Sequence, residues 1–141
     1  MCVFCKIING EISSYKLYEN GFVIGILDIS QATKGHCLII PKKHFENVFT
    51  LSEDYAEEIM KAAVVVSNIL KEKLQIHDIN LLNNSGQLAG QTVMHFHLHV
   101  LPRYKNDEIN FHQVDHEPNF EELDKFCLLY TSDAADDLIG V

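Results

Sequence analysis

The sequence predicts an α+β domain whose sheet is largely antiparallel and carries one long helix on one face. Three observations carry this prediction: two short, β-branched apolar segments near the N-terminus, one long segment with helical periodicity, and two further apolar segments after it. With 141 residues, 47% of them apolar and 22% charged, the chain falls in the size range of one compact domain with a buried core.

The first two predicted strands are residues 22–29 and 36–40, which are short, apolar and rich in isoleucine. Residues 31–35 lie between them, end in Gly35 and read as a turn. Two strands joined by so short a connection are expected to pair antiparallel.

The long helix is predicted over residues 52–74, where apolar residues recur every three to four positions. Thr50 followed by Glu53 fits a capping box at its start, and Ser52 is a rival N-cap. The residues of the apolar stripe are Ala56, Ile59, Met60, Ala63, Val66, Leu70 and Leu74.

Two more strands are predicted at residues 79–82 and 95–101, joined by a polar, glycine-containing loop over 83–91. Residues 121–126 begin an amphipathic helix. The order of strands, helix and strands again favours an α+β domain, and no internal repeat or linker divides it.

The residue pattern of the segment 127–141 differs from that of the rest of the chain because it continues no apolar stripe. Read back into codons, it resembles a transposon-based sequencing adapter translated in frame. We therefore expect residues 1–126 to form the domain and residues 127–141 to be a non-native tail.

Charge and composition argue against several classes of partner. The formal net charge is -9, and the longest Lys/Arg cluster is Lys42-Lys43, so a duplex nucleic acid partner is not expected. The N-terminus shows no secretory signal, and no apolar run reaches the roughly 20 residues of a membrane span. We expect a soluble, cytoplasmic protein with no membrane partner, whose four cysteines do not form a disulfide scaffold.

The strongest chemical signal is the alternation of His95, His97 and His99 with apolar residues. Residues two apart in a strand share one face, about 6.6 Å from each other. Three imidazoles in register lose hydration without a packing gain, so a chemical role is favoured. Two other interpretations stay open: a buried histidine is usually a hydrogen-bonded core residue, and a His-x-His pair also holds catalytic metals on strands.

Residues 90–103, which contain this run, resemble the signature of the histidine-triad (HIT) family, in which three histidines alternate with apolar residues. The resemblance extends to residues 4–8, 27–30 and 34–44 and covers the chain from Met1 to about Phe126. Within the family, the chain is similar to the bacterial, zinc-containing Hit/Hint-like branch. The resemblance implies one domain with a mainly antiparallel five-stranded sheet, one long helix and a shorter or truncated C-terminal helix.

The resemblance also implies the catalytic roles. His97 would attack the α-phosphate of a nucleotide and form a covalent nucleotidyl-histidine that water then hydrolyses. His99 would contact a phosphoryl or bridging oxygen and pass a proton to the leaving group. His36 would support the histidine cluster from a neighbouring strand.

The nucleotide contacts implied by the resemblance fall into three groups. Asp28 would accept hydrogen bonds from both ribose hydroxyls, although a plain strand-ending turn residue is the alternative. Apolar residues would sandwich a purine base with little base specificity, and loop residues with close-approaching backbone would surround the phosphate. The residues of these two groups are Val3, Phe4, Ile7, Ile26, Leu27 and Ile29 for the base, and Asn84, Gly90, Gln91 and Thr92 for the phosphate.

The Cys2-x-x-Cys5 pair is the second chemical signal. In the branch that the chain resembles, such a pair closes a tetrahedral zinc site with two histidines, which correspond here to His44 and His95. Four protein ligands leave no open position, so the zinc would be structural. A reduced pair without zinc is the alternative.

Three functions are in competition. The first is hydrolysis of purine nucleoside phosphoramidates or related nucleotidyl conjugates. The second is hydrolysis of dinucleoside polyphosphates, because residues 100–103 are reminiscent of the branch of the family with that activity. The third is a zinc-stabilised nucleotide-binding module with little turnover.

The resemblance further implies a homodimer joined along the long helix and a sheet edge. Four further cysteine and histidine residues are expected to have no role in a site. Cys37 is expected in the core, and His77, His112 and His116 in exposed stretches.

Overall fold

The computed structural model of the chain describes residues 2–106 and 108–132. The chain divides into two compact units, Met1–Asn110 and Phe111–Val141. The described part of the first unit holds a five-stranded sheet and two α-helices, and the second holds one helix. No helix of the described residues is long and apolar enough to cross a membrane.

The sheet is antiparallel between every pair of neighbouring strands, with the order β1-β2-β3-β5-β4. The α+β class predicted from the residues and the five-stranded sheet implied by the family resemblance are therefore confirmed. The strands are β1 (Lys16–Glu19), β2 (Val23–Leu27), β3 (Cys37–Pro41), β4 (Asp78–Leu82) and β5 (Leu98–Arg103).

Each face of the sheet is covered by a helix, α1 (Val3–Ile8) or α2 (Glu53–Leu74). Because side chains alternate along a strand, β2 and β3 supply residues to both cores, which explains their uninterrupted apolar sequence. One core joins Val23, Cys37, Ile39, Phe96 and Val100 to the α2 residues Ile59, Ala62, Val66 and Leu70. The other joins Ile24, Ile26, Leu38 and Ile40 to Phe4 of α1.

The long helix begins one residue after its N-cap, Ser52, so the rival cap is the observed one. The capping box predicted at Thr50 is wrong. Thr50 instead closes a turn, in which its backbone N–H and its hydroxyl both donate to the carbonyl oxygen of Asn47.

Two elements were missed from the sequence, and one was placed too early. The helix α1 and the strand β1 are short, and β1 is a partly exposed edge strand, so neither carries a long periodic pattern. The last strand begins at Leu98 and not at residue 95. Residues 95–97 lie outside the ladder, and the Phe96 N–H donates to the carbonyl oxygen of Phe45, 2.7 Å away.

The second unit contains α3 (Phe120–Thr131), whose N-cap Asn119 accepts a hydrogen bond from the Glu122 N–H at 3.1 Å. The predicted helix start near residue 121 agrees with this element, and the helix continues past residue 126 to Thr131. The assignment of residues 127–141 to a non-native tail stays a prediction, and residues 133–141 of that tail lie outside the described residues.

Candidate active site and metal centre

A cavity of about 470 Å³ opens between α1, the end of β2 and the loop that precedes β5. Every residue predicted to bind nucleotide lines it except Gln91. The predicted residues on the wall are Val3, Phe4, Ile7, Ile26, Leu27, Asp28, Ile29, Asn84, Gly90, Thr92, His97 and His99. The cavity combines an apolar group of side chains from α1 and β2 with a polar group from the loop and the histidine run.

His97 is buried, and its ring has a fixed orientation. Its Nδ1 atom lies 2.8 Å from the backbone carbonyl oxygen of His95. A carbonyl oxygen only accepts, so Nδ1 donates and the lone pair of the neutral ring is on Nε2. A nucleophilic imidazole requires this tautomer. The Phe4 and His97 rings pack in a T-shaped arrangement, with 5.1 Å between ring centroids.

A second histidine pair lies beside His97. The Ala32 N–H donates to Nδ1 of His36, so the neutral ring carries its proton on Nε2, which lies 2.9 Å from Nδ1 of His99. Because Nδ1 of His99 accepts this hydrogen bond from His36, the neutral His99 ring carries its own proton on Nε2. Asp28 is adjacent, with its Oδ2 atom 3.5 Å from Nε2 of His36.

Burial keeps the histidine pair neutral. Loss of hydration, together with the neighbouring His97 and His36 rings, lowers the pKa of His99 to about 4. Loss of hydration also lowers the pKa of His36, although Asp28 acts in the opposite direction. A neutral His99 can therefore donate a hydrogen bond from Nε2.

The loop over residues 83–92 contains two glycines with positive φ, Gly86 and Gly90. L-residues with side chains rarely adopt this backbone conformation, which explains glycine at both positions. The loop is tied to the histidine run, since Nδ2 of Asn83 donates to the carbonyl oxygen of His97 at 3.0 Å. The Ser85 hydroxyl in turn donates to Oδ1 of Asn83, 2.7 Å away.

Several wall residues were missed from the sequence. Leu38 was detectable because it alternates in its strand with residues of the opposite core. Val93 was detectable because it precedes the histidine run. The others carry no chemical signature in the sequence and reach the cavity only through the turn after α1 or the end of β2. These residues are Ile12, Ser13, Ser14, Tyr15 and Ser30.

The four residues predicted to bind zinc lie in one cluster. Their ligand atoms, the two sulfurs and two ring nitrogens, are all within 4.8 Å of one another. Nδ1 of His95 lies 3.4 Å from Sγ of Cys2, 3.5 Å from Sγ of Cys5 and 3.0 Å from Nδ1 of His44. The Cys5 sulfur is also 3.3 Å from Nδ1 of His44.

The donor chemistry of this cluster fits zinc. Tetrahedral zinc with Zn–S near 2.3 Å and Zn–N near 2.0 Å holds its ligand atoms about 3.3–3.8 Å apart. His95 is fully buried, and its Nε2–H donates to the carbonyl oxygen of Pro41 at 2.9 Å, which leaves the Nδ1 lone pair facing the sulfurs. Burial also lowers the pKa of His95, so the ring stays neutral as a metal ligand must.

The residues expected to have no site role lie where predicted. Cys37 is buried in the core, burial raises its pKa to about 11, and its S–H donates to the carbonyl oxygen of Gly35. His77, His112 and His116 are exposed.

The architecture and the histidine run match a known family of domains. The HIT domain matches residues 9–106, which is more than half of the chain. The chain belongs to the HIT domain family.

Similar proteins include one named after the family and one named for an activity. The chain is 46% identical over 103 residues to the protein hit of Bacillus subtilis, covering 73% of this chain and 71% of that protein. It is 38% identical over 111 residues to a Candida albicans protein named adenosine 5′-monophosphoramidase, covering 76% and 72% of the two chains. A solved structure, a zinc-bound histidine-triad family protein from Mycobacterium smegmatis, superposes with a TM-score of 0.74 at 33% identity, covering 95% of this chain and 96% of that one.

Proposed function

We propose that this protein hydrolyses purine nucleoside 5′-phosphoramidates or related nucleotidyl conjugates through a covalent intermediate on His97. The observation that carries the proposal is the hydrogen bond from Nδ1 of His97 to the carbonyl oxygen of His95, which leaves the lone pair on Nε2 of a buried imidazole that lines the cavity. The similarity to a protein named adenosine 5′-monophosphoramidase supports the same chemistry.

In the first step, Nε2 of His97 attacks the α-phosphorus with its lone pair. A nitrogen–phosphorus bond to His97 forms while the bond from phosphorus to the leaving amine breaks. Nε2–H of His99, oriented by the bond from His36, donates a hydrogen bond to a phosphoryl oxygen. The leaving amine takes a proton from solvent, because a neutral imidazole that lost its proton would become an imidazolate. The products of this step are the free amine and the nucleotidyl-His97.

In the second step, water attacks the same phosphorus and the nitrogen–phosphorus bond breaks. The water proton passes to solvent, which balances the proton taken up by the amine, and the electron pair of the broken bond returns to Nε2 of His97. The nucleoside monophosphate leaves, and His97 regains its starting state. The lowered pKa of His99 agrees with a ring that stays neutral and donates a hydrogen bond throughout.

The remaining wall residues hold the substrate. No Lys or Arg of the described residues lines the cavity, so neutral donors must compensate the phosphate charge. Asn84, Gly90 and Thr92 take this role at the loop. The carboxylate of Asp28 accepts from the ribose hydroxyls, and Phe4, Ile7, Ile26 and their neighbours enclose the base.

Zinc in the cluster of Cys2, Cys5, His44 and His95 would cross-link the chain and would not activate water, because its four protein ligands leave no open position. Phe4 lies between the two cysteines in sequence, and its ring also packs against His95, with 5.9 Å between centroids. The cluster therefore anchors a cavity wall residue to the segment that carries His97.

The two competing functions differ from this proposal in measurable ways. A dinucleoside polyphosphate hydrolase would turn over diadenosine polyphosphates faster than adenosine phosphoramidate. Residues 100–103, the sequence feature reminiscent of that branch, do not line the cavity, and Arg103 donates to Oδ1 of Asn80 instead. A binding module with little turnover would bind nucleotides without needing His97.

The test is to trap the intermediate with a slowly hydrolysed adenosine phosphoramidate and to map the adduct by mass spectrometry at alkaline pH. We expect adenylyl on the peptide that contains His97, and a loss of turnover of at least about 10³-fold in His97→Ala. His77→Ala, an exposed histidine outside the site, serves as the matched control. Full activity of His97→Ala, or an adduct on another residue, would contradict the proposal.

A further inference from the structure

One buried side-chain amide joins three separate backbone segments beside the cavity. Oε1 of Gln91 accepts from the Gly86 N–H at 2.8 Å, while its Nε2 donates to the carbonyl oxygens of Glu46 at 2.7 Å and Val93 at 3.0 Å. Only 5% of Gln91 is exposed. Both N–H bonds of the amide group therefore have partners, and so does its oxygen.

The orientation of this amide follows from its partners. The two groups that face Nε2 are carbonyl oxygens, which only accept, and the group that faces Oε1 is an N–H, which only donates. The flipped amide would place an oxygen against two oxygens and a donor against a donor. The three bonds thus define one orientation of Gln91.

The amide adds long-range bonds to a loop whose backbone bonds are local. Residues 86–91 are joined to one another by backbone hydrogen bonds, including one from the Gln91 N–H to the carbonyl oxygen of Gly86 at 3.1 Å. The Gln91 side chain adds a second bond between these same two residues and then reaches Glu46 across the fold. A loop with glycines at both ends is conformationally free unless such bonds hold it.

The residues on either side of Gln91, Gly90 and Thr92, line the cavity, whereas Gln91 does not. A phosphate contact from the Gln91 side chain would require at least one of its three buried bonds to break, which would leave a buried polar group unpaired.

We infer that Gln91 is a positioning residue, which acts by holding the 83–92 loop so that Asn84, Gly90 and Thr92 face the phosphate. The inference rests on the proposed function for the identity of the ligand, and it replaces a direct phosphate contact by Gln91 with an indirect role. The loop is thereby joined to the segment of Glu46, two residues after the candidate metal ligand His44.

The test compares Gln91→Met, which has similar length and no hydrogen-bonding group, with Gln91→Glu, which keeps the acceptor for Gly86 and loses both donors. Calorimetric titrations with adenosine and with adenosine 5′-monophosphate separate the base end from the phosphate end. We expect the affinity for adenosine to change less than about twofold, the affinity for the monophosphate to fall about tenfold, and kcat for the phosphoramidate to fall up to about 10²-fold.

The matched control is Val66→Ala, which removes a fully buried side chain under the sheet and lowers stability without touching the loop. We expect Val66→Ala to leave the ratio of the two affinities unchanged even where its thermal stability is as low as that of the Gln91 variants. An equal fall of the ratio in Val66→Ala, or an unchanged ratio in both Gln91 variants, would overturn the inference.

Amide hydrogen exchange distinguishes this inference from the proposed function. Peptides covering residues 83–92 should exchange faster in Gln91→Met than in the unmodified protein, while peptides from α2 should not. Unchanged exchange in the loop overturns the inference whatever the activity. A protein that neither binds the monophosphate nor turns over the phosphoramidate refutes the proposed function, and faster loop exchange in Gln91→Met would then still show that Gln91 holds the loop.

Discussion

The side chain of His97 is hydrogen-bonded to the backbone of His95, with 2.8 Å between Nδ1 and the carbonyl oxygen. The side chain of His95 points instead toward Cys2, Cys5 and His44. One residue therefore contributes its backbone to the candidate nucleophile and its ring to the candidate metal centre. Disturbance of the metal cluster is expected to reach His97 through this short link.

Metal content tests the cluster directly. We expect purified protein to contain about one zinc per chain, and Cys2→Ser to lose it, because the remaining three ligands no longer complete a tetrahedron. Since binding free energy at a structural site is folding free energy, the free energy of unfolding should fall by at least about 2 kcal/mol. Elemental analysis and thermal unfolding measure both quantities. Cys127→Ser, an exposed cysteine, is the control; zinc retained in full by Cys2→Ser would refute this ligand set.

The proposed role of Asp28 in binding the ribose can be tested with ribonucleotide and 2′-deoxy substrates. Hydrogen bonds to a charged acceptor contribute about 1.5–3 kcal/mol, so Asp28→Asn should raise KM for a ribonucleotide substrate by about 10-fold to 100-fold. The same variant should lose most of the discrimination against the 2′-deoxy substrate. Asp78→Asn, an exposed aspartate on the edge strand, should change neither quantity. If Asp28→Asn discriminates as well as the unmodified protein, the ribose assignment is wrong.

Acid sensitivity follows from the histidine pair. Burial lowers the pKa of His99 from its usual 6.5 to about 4, so between these pH values the unfolded chain binds more protons than the folded protein. Stability should therefore decrease as the pH falls from 6.5 to 4, and the lowered pKa values of His36 and His95 act in the same direction. Thermal unfolding across this range should show a shallower decrease for His99→Gln than for His77→Gln. Identical slopes for the two variants would contradict the assignment.

The exposed side of α2 is expected to form a dimer interface, which a measurement of molecular mass can test. Met60, Val64 and Val65 are apolar and about half exposed, with 52%, 53% and 42% of their surfaces accessible. We expect these side chains to be covered by a second chain, so light scattering should give twice the mass of one chain, and Val64→Lys should shift it toward the mass of one. Val114→Lys, also an exposed valine, should leave the mass unchanged. A single-chain mass for the unmodified protein at micromolar concentration would refute the expectation.

The long helix and the α+β class were predictable because their signals are local and repeated. The apolar stripe predicted over residues 52–74 spans six turns. Four of its seven residues, Ile59, Ala63, Val66 and Leu70, are buried. Its members Ala56, Met60 and Leu74 are exposed, and the buried Ala62 was not among them. The six-residue α1 and the four-residue β1 have no comparable repeat, so their conformations depend on the sheet against which they pack.

The amino-acid sequence shows which chemical groups this protein carries and at what spacing: three histidines two residues apart, a Cys-x-x-Cys pair and a glycine-rich loop before the histidine run. Family resemblance assigned these groups to roles, whereas their positions in space depend on the folded chain. The fold brought Cys2 to His95, turned His97 toward the cavity, and placed the Gln91 side chain inside the protein while its neighbours line the wall. The physical reason is that each orientation depends on a hydrogen-bond partner brought near by packing, such as Pro41 for His95 or Glu46 for Gln91. Such pairings over long sequence separations leave no periodic trace in the chain.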